Sequence, residues 1–254
     1  MKLARFLYLL AAACLFVLNS GYAVSGEIRV AVASNFSPVM KRLAENFETS
    51  TPHTIKLISG STGKHYAQIK HGAPFHVFFA ADAERPKRLE EEGGAVAGSR
   101  FTYAIGHIVL WSPKSNYIDA NGKVLESTTY RHLAIANPKL APYGKAAQEV
   151  LQSRGLWSSK QSNLVRGENI GQTFQFVKSG NAELGFIAYA QIKKPKSFEQ
   201  EIAGSLWLVP QSLYTPIKQQ AVLLQENPIA REFLSFVKSE ASQSLIKGYG
   251  YSTP

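Results

Sequence analysis

Cysteine is almost absent from this sequence, because the only one, Cys14, lies in an apolar run near the N-terminus. Lys2 and Arg5 precede this run and small residues ending at Ala23 follow it, a pattern typical of a signal peptide over residues 1–23. We expect cleavage after Ala23 and export from the cytoplasm. The mature chain would then have no cysteine, which excludes disulfide bonds and thiol chemistry.

Long apolar runs are also scarce. The N-terminal run, residues 6–18, is shorter than the ~20 residues that a membrane-spanning helix needs, and no later segment is apolar enough to span a membrane. A lipoprotein attached at Cys14 is an alternative, but the apolar run continues to Leu18 and makes Cys14 an interior residue of the signal. We therefore expect a soluble, exported protein.

Catalytic and metal-binding motifs are missing as well. No serine lies in a G-x-S-x-G sequence, and His65, His71 and His76 lack the usual spacing of metal ligands. We therefore expect a protein that is not an enzyme and binds no metal cation. A secreted hydrolase remains an alternative, which a screen of ester and phosphoester substrates would test.

Charge is unbalanced but not clustered. The chain has 28 Lys and Arg against 18 Asp and Glu, a formal net charge of +10. The basic residues are scattered and form no recognised nucleic-acid motif, so we expect no nucleic-acid partner. A basic surface is compatible with small anions, although charge alone does not identify the ligand.

Strands and helices alternate in two successive sets, which predicts parallel sheets with right-handed crossovers. We predict an α/β protein of two lobes, each a mostly parallel sheet flanked by helices, joined by two crossing strands. The predicted boundaries are 24–105 for the first part of lobe I, 106–224 for lobe II with the hinge strands, and 225–254 for C-terminal helices that return to lobe I. Such a hinge can close a cleft on a ligand.

Small, hydroxyl-rich turns occur where predicted helices begin, and the most prominent is Ser59–Lys64. Three further turns, at 33–38, 142–144 and 168–171, lie at matching places. The first turn of a helix has unpaired N–H groups and a partial positive charge, so such turns can hold an anion. Ser59–Lys64 is not a nucleotide-binding P-loop, because two rather than four residues separate its glycines.

The mature chain resembles the periplasmic molybdate-binding proteins of ABC transporters. The matching stretches are Ala33-Ser34-Asn35-Phe36, Ser59–Gly63, Tyr66–Ile69, Gly72-Ala73-Pro74, Phe78–Asp82, Ser99–Gly106, Asn137-Pro138, Ala141–Gly144 and Leu184-Gly185-Phe186. This resemblance implies the type II periplasmic-binding-protein fold, and molybdate or tungstate bound as an oxyanion without a cofactor. It also implies a membrane permease of an ABC importer as partner. We expect a monomer.

The resemblance implies that hydroxyls and backbone N–H groups hold the oxyanion. The positions that match the family's ligand-contacting residues are Ser34, Asn35, Thr62, Tyr143 and Ile170, with Ser61 as a neighbour. Ser34 and Thr62 would donate through hydroxyls, and Asn35, Tyr143 and Ile170 mainly through the main chain.

One position departs from a branch of this family. That branch has a ligand-binding tyrosine just after the Leu-Gly strand, where this chain has Ala188, with Tyr189 one residue later.

Binding of sulfate or another tetrahedral oxyanion is the alternative within the class. A ligand-sensing domain of a regulator is the other alternative. It would need a DNA-binding or signalling segment, whereas we expect the residues before Glu27 to be a signal peptide, and no residues follow Pro254 in this sequence.

Overall fold

The computed structural model describes residues 25–193 and 203–254, so the predicted signal peptide, residues 1–23, lies outside the described residues. The strands are β1 (Glu27–Ala33), β2 (Thr54–Gly60), β3 (Val77–Ala80), β4 (Phe101–Gly106), β5 (Ile108–Ser112), β6 (Leu133–Ala136), β7 (Leu164–Gly167), β8 (Leu184–Ala188), β9 (Ser205–Leu208) and β10 (Ile217–Leu223). The α-helices are α1 (Ser37–Ser50), α2 (Thr62–Lys70), α3 (Glu84–Glu91), α4 (Pro142–Ser153), α5 (Ile170–Lys178), α6 (Pro228–Lys238) and α7 (Glu240–Gly248).

Two sheets of five strands form two lobes. The first has the order β2-β1-β3-β10-β4 and the second the order β7-β6-β8-β5-β9. In each, three strands form a parallel core, β2-β1-β3 or β7-β6-β8, and the two remaining strands pair in antiparallel fashion. The two predicted lobes with flanked sheets are therefore present, and the antiparallel strands occur where the chain passes between them.

The chain crosses between the lobes twice. The apolar run from Tyr103 to Trp111 predicts a single strand but forms two strands. β4 ends at Gly106 in the first sheet, and β5 begins at Ile108 in the second. The return crossing lies between β9 and β10. The predicted boundary at residue 224 is too late, because β10 pairs with β3 and β4 in the first lobe. An apolar strand pattern is compatible with either sheet, so only the observed strand pairing shows to which lobe each strand belongs.

The C-terminal helices pack on the first lobe. The Phe233 ring of α6 lies 5.2 Å from that of Phe47 on α1 and 6.2 Å from that of Phe79 on β3. Val237 and Ile246 belong to the same buried cluster, so α6 and α7 complete the core of the lobe in which the chain began. No helix within 25–193 and 203–254 is long and apolar enough to cross a membrane.

Three helices begin at the interface between the lobes. Helix α2 begins at Thr62, α4 at Pro142 and α5 at Ile170. Proline suits the first turn of α4, because no intrahelical acceptor is available there for an N–H. Thr62, Tyr143 and Ile170 therefore all lie in first helical turns.

Candidate functional site

A small cavity lies between the lobes, and all six predicted site residues line it. The cavity has a volume of about 10 Å³, close to what one water molecule needs. The first lobe contributes Ser34 and Asn35 after β1, and Ser61 and Thr62 after β2. The second lobe contributes Tyr143 and Ile170 from the first turns of α4 and α5. All but Ser34 are nearly or fully buried.

Parallel pairing brings the two first-lobe turns together. β1 and β2 pair in register from Glu27 with Thr54 to Ala33 with Gly60, so their carboxyl ends lie side by side. Ser34 N then donates to Gly60 O at 2.9 Å and fixes the turns to each other. Carboxyl ends of parallel strands are the usual place for ligands in α/β sheets.

Three hydroxyls at the cavity already accept a hydrogen bond from a backbone N–H. Each hydroxyl has a single hydrogen, which remains available for donation to a ligand. The site therefore presents these side chains to an anion as donors. The three bonds run from Gly171 N to Ser34 Oγ at 3.2 Å, from Lys64 N to Ser61 Oγ at 3.4 Å, and from Ala81 N to Thr62 Oγ1 at 3.0 Å.

Backbone N–H groups supply further donors. Within the described chain, those of Asn35, Thr62, Tyr143 and Ile170 have no protein acceptor. For the last three this follows from their place in a first helical turn, where the partial positive charge of the helix also favours an anion. Together with the three hydroxyls, neutral donors from both lobes converge on one small space.

No charged side chain lines this cavity. Lys64 is half-exposed, and its Nζ lies 3.2 Å from Glu168 Oε1 of the second lobe. His65 lies behind Gly60, and burial lowers its pKa, so its ring is neutral at pH 7. Among the residues the structure describes, no group of His, Cys, Asp and Glu could hold a metal ion. Electrostatic attraction here comes from oriented dipoles rather than from a counter-charge.

The Asn35 side chain points away from the cavity. Its Nδ2 donates to Gln219 Oε1 at 2.7 Å and to Tyr251 Oη at 3.1 Å. The Tyr143 phenol enters the same cluster, where it accepts from Gln219 Nε2 at 3.4 Å. These contacts leave only the main chains of Asn35 and Tyr143 to face a ligand, as the resemblance implied. Gln219 and Tyr251 were not predicted, although Gln219 alternates with Ile217 and Ala221 on the buried face of β10, and a polar residue at such a position is a detectable signal.

Tyr189 does not line the cavity. It begins the short 3₁₀ turn after β8, and its ring lies against Gly250 at the C-terminal end of the chain. Ala188, which takes the family tyrosine's place, is fully buried. The one-residue offset thus places the tyrosine in the turn beyond the strand, where its phenol is away from the cavity.

Direct contacts hold the lobes closed over the cavity. Gly63 N donates to Leu140 O at 2.8 Å, and Arg85 Nη2 donates to Lys139 O at 3.2 Å. A side chain at Gly63 would press on Leu140, with its Cβ 3.0 Å from the Leu140 Cα, so glycine permits this approach.

The fold and the site define a solute-binding protein of the type II periplasmic-binding-protein fold. The chain belongs to the bacterial extracellular solute-binding proteins, whose family profile matches residues 28–252.

Two relatives cover nearly the whole chain. It is 49% identical over 232 residues to the molybdate-binding protein ModA of Azotobacter vinelandii, covering 90% of this chain and 91% of the relative. It is 46% identical over 234 residues to that of Rhodobacter capsulatus, covering 91% and 90%.

Solved structures agree with this family. The Azotobacter vinelandii periplasmic molybdate-binding protein superimposes with a TM-score of 0.85 and 42% identity, covering 89% of this chain and 99% of that one. The sulfate-binding protein SubI of Mycobacterium tuberculosis has a TM-score of 0.72 at 10% identity, covering 90% and 87%, and shares the fold alone.

Proposed function

We propose that this chain captures molybdate in the cleft between its lobes and delivers it to the membrane permease of an ABC importer. The observation that carries the proposal is the set of neutral donors around one small, uncharged cavity. Ser34, Ser61 and Thr62 donate through hydroxyls, and Asn35, Thr62, Tyr143 and Ile170 through backbone N–H groups. The relatives named molybdate-binding proteins support the choice of ligand.

Neutral donors suffice energetically for a dianion. A hydrogen bond to a charged group contributes about 1.5–3 kcal/mol, so a full set can offset the desolvation of ligand and site. The net binding free energy that is left after this desolvation cost needs to be only about −8 to −12 kcal/mol for micromolar to nanomolar affinity. A lysine or arginine in the cavity is unnecessary.

The spacing of the donors on the two lobes selects among tetrahedral oxyanions. Tungstate matches molybdate in shape and charge, and we propose it as a second ligand. Sulfate is smaller and would leave some donors beyond hydrogen-bonding distance, which weakens its binding. A sulfate carrier is the alternative function within the class.

Isothermal titration of the purified exported protein tests the proposal. We expect molybdate and tungstate to bind with micromolar or tighter affinity, and sulfate and phosphate to bind at least about 100-fold more weakly, a difference of roughly 2.7 kcal/mol. Tight binding of sulfate with no heat from molybdate or tungstate would instead identify a sulfate carrier.

Export places the protein outside the cytoplasm, and we propose that residues 1–23 are removed in the periplasm. Intact-mass measurement of the exported protein should give a chain that begins at Val24. A retained N-terminus, or a lipid on Cys14, would contradict the predicted cleavage. Light scattering of the same sample should give the mass of a monomer.

A further inference from the structure

Gln219 is a fully buried polar residue at the joint between the lobes. It lies on β10, next to a register shift between Gln219 and Gln220 in the pairing with β4. Such irregularities redirect a side chain away from the regular alternation of the strand. A buried amide is costly unless its donor and acceptor are used, so its partners indicate its purpose.

The partners of Gln219 come from both lobes. In the first lobe its Oε1 accepts from Asn35 Nδ2 at 2.7 Å and from Tyr103 Oη at 3.1 Å. Its Nε2 donates to Tyr143 Oη of the second lobe at 3.4 Å. One side chain therefore contacts Asn35 and Tyr143, whose backbones face the cavity from opposite sides.

Tyr251 fixes Asn35 from a second direction. Its hydroxyl donates to Asn35 O at 2.9 Å and accepts from Asn35 Nδ2 at 3.1 Å. Burial raises the pKa values of Tyr143 and Tyr251, so both phenols remain protonated donors at neutral pH. Asn35 is thus held both at its backbone carbonyl and through its side-chain amide, which fixes the peptide group between Asn35 and Phe36.

Gly106 provides the space for this contact between the lobes. It ends β4, where the chain crosses to the second lobe. A Cβ at this position would overlap the Tyr143 hydroxyl and lie 2.8 Å from Gln219 Nε2. The backbone conformation does not require glycine here, because the φ of Gly106 is not positive. The missing side chain is therefore explained by the space that the Tyr143 phenol occupies.

We propose that Gln219 is a positioning residue that couples closure of the lobes to oxyanion binding, by joining the ligand-facing turn of Asn35 to Tyr143. The inference rests on the proposed function, because it concerns the same site. Gln219 does not line the cavity, so it acts through Asn35 and Tyr143 rather than on the ligand. When the lobes separate, the contact between Gln219 and Tyr143 breaks, and the closed, ligand-bound state loses its contribution.

The test compares molybdate affinity and dissociation rate for wild type, Gln219→Met, Tyr143→Phe and the double variant. Methionine keeps the volume of glutamine but removes its donor and acceptor. We expect Gln219→Met to raise Kd about tenfold and Tyr143→Phe about fivefold, mostly through faster dissociation. The double variant should be little weaker than Gln219→Met alone, because both changes remove the same contact.

Tyr130→Phe is the matched control. The Tyr130 hydroxyl is buried and donates to Leu125 O at 3.0 Å within the second lobe, so its loss should lower stability without changing affinity. Gly106→Ala should imitate Tyr143→Phe, because it displaces the phenol while leaving every hydroxyl in the chain.

Three results would overturn the inference. Gln219→Met could bind as wild type does, the two substitutions could multiply as independent effects, or Tyr130→Phe could weaken binding equally. If Gln219→Met failed to fold, Tyr143→Phe and Gly106→Ala would still decide. If wild type and these variants bound molybdate equally well, only the inference about Gln219 would be wrong. If wild type bound no oxyanion, the proposed function would be wrong as well.

Discussion

Two spaces lie side by side between the lobes and differ in chemistry. The cavity of about 10 Å³ has no charged side chain in its lining, whereas the adjoining groove of about 280 Å³ has six, from Asp82, Glu84, Arg85, Lys145, Glu149 and Lys218. Both share Ala81 and Pro142. In the groove, Asp82 and Arg85 form an ion pair, and burial raises the pKa of Asp82 against the influence of Arg85.

The difference indicates how a basic protein can bind an anion without a basic site. Lysine in a closed site would have to lose its hydration, and it would attract any small anion regardless of shape. Oriented N–H and hydroxyl donors distinguish anions by distance and direction. Glu84, Lys145 and Lys218 of the groove are exposed, so solvent screening weakens their influence on the cavity. Four experiments examine this contrast.

The largest effect should come from placing a charge in the neutral cavity. Ser34→Asp would set a carboxylate against the oxyanion, and two like charges ~4 Å apart repel by about 4 kcal/mol near a protein surface. We expect molybdate affinity to fall at least about 100-fold by titration calorimetry.

Lys145→Asp is the control in the groove. It changes the charge by two units at an exposed position, and we expect less than about a threefold loss, because solvent screens it. Equal losses in the two variants would mean that net charge, rather than the donor set, governs binding.

Removing one hydroxyl donor should have the next largest effect. Thr62→Ala loses a donor to the anion and the acceptor for Ala81 N, so binding should weaken by about 1–3 kcal/mol. Thr62→Ser retains the hydroxyl and should recover most of the affinity. If Thr62→Ala bound as tightly as Thr62→Ser in the same calorimetric titration, the hydroxyl would have no part in the site.

Acidification should separate stability from binding. Burial lowers the pKa of His65, so below pH ~6.5 the unfolded chain takes up a proton that the folded chain resists, and stability falls as pH falls. Thermal unfolding from pH 8 to pH 5 should show this decline, and His65→Gln should reduce its slope. Molybdate affinity should stay nearly constant between pH 8 and pH 6.5, because the cavity has no titrating side chain. A steep change there would contradict a neutral site.

The smallest effect should come from the ion pair that spans the lobes outside the cavity. Lys64 and Glu168 are about half-exposed, and such pairs contribute about 0.2–1 kcal/mol. We expect Lys64→Ala and Glu168→Gln each to raise Kd less than about fivefold, with the difference disappearing in 1 M salt. A loss from Lys64→Ala as large as that from Thr62→Ala would restore a direct role for the lysine charge.

Local patterns identified most of the elements but not their assignment to lobes. The apolar run over 103–111 predicts one strand, yet its two halves belong to different sheets, with only His107 between them. Periodicity reports burial, and both halves are buried, so it cannot locate the crossing. β10, which the prediction counted with lobe II and its hinge strands, pairs with β3 and β4 of the first sheet.

The six site residues could be named because short motifs carry the resemblance to the molybdate-binding proteins, and the family's ligand-contacting positions fall within them. The hydrogen-bond partners of Asn35 could not be predicted in this way. Gln219 and Tyr251 are 184 and 216 residues from Asn35 in sequence, and no local rule relates positions so far apart.

By itself the sequence determined the two strand-helix sets, the turns with their hydroxyls and the absence of cysteine after Cys14, because these depend on neighbouring residues. Only the tertiary structure decided that Ser34, Thr62, Tyr143 and Ile170 share one cavity, and that Lys64 pairs with Glu168 outside it. It also turned the Asn35 amide and the Tyr143 phenol away from that cavity. The physical reason is that strand pairing and lobe closure join distant segments, and those contacts decide which polar groups remain for a ligand.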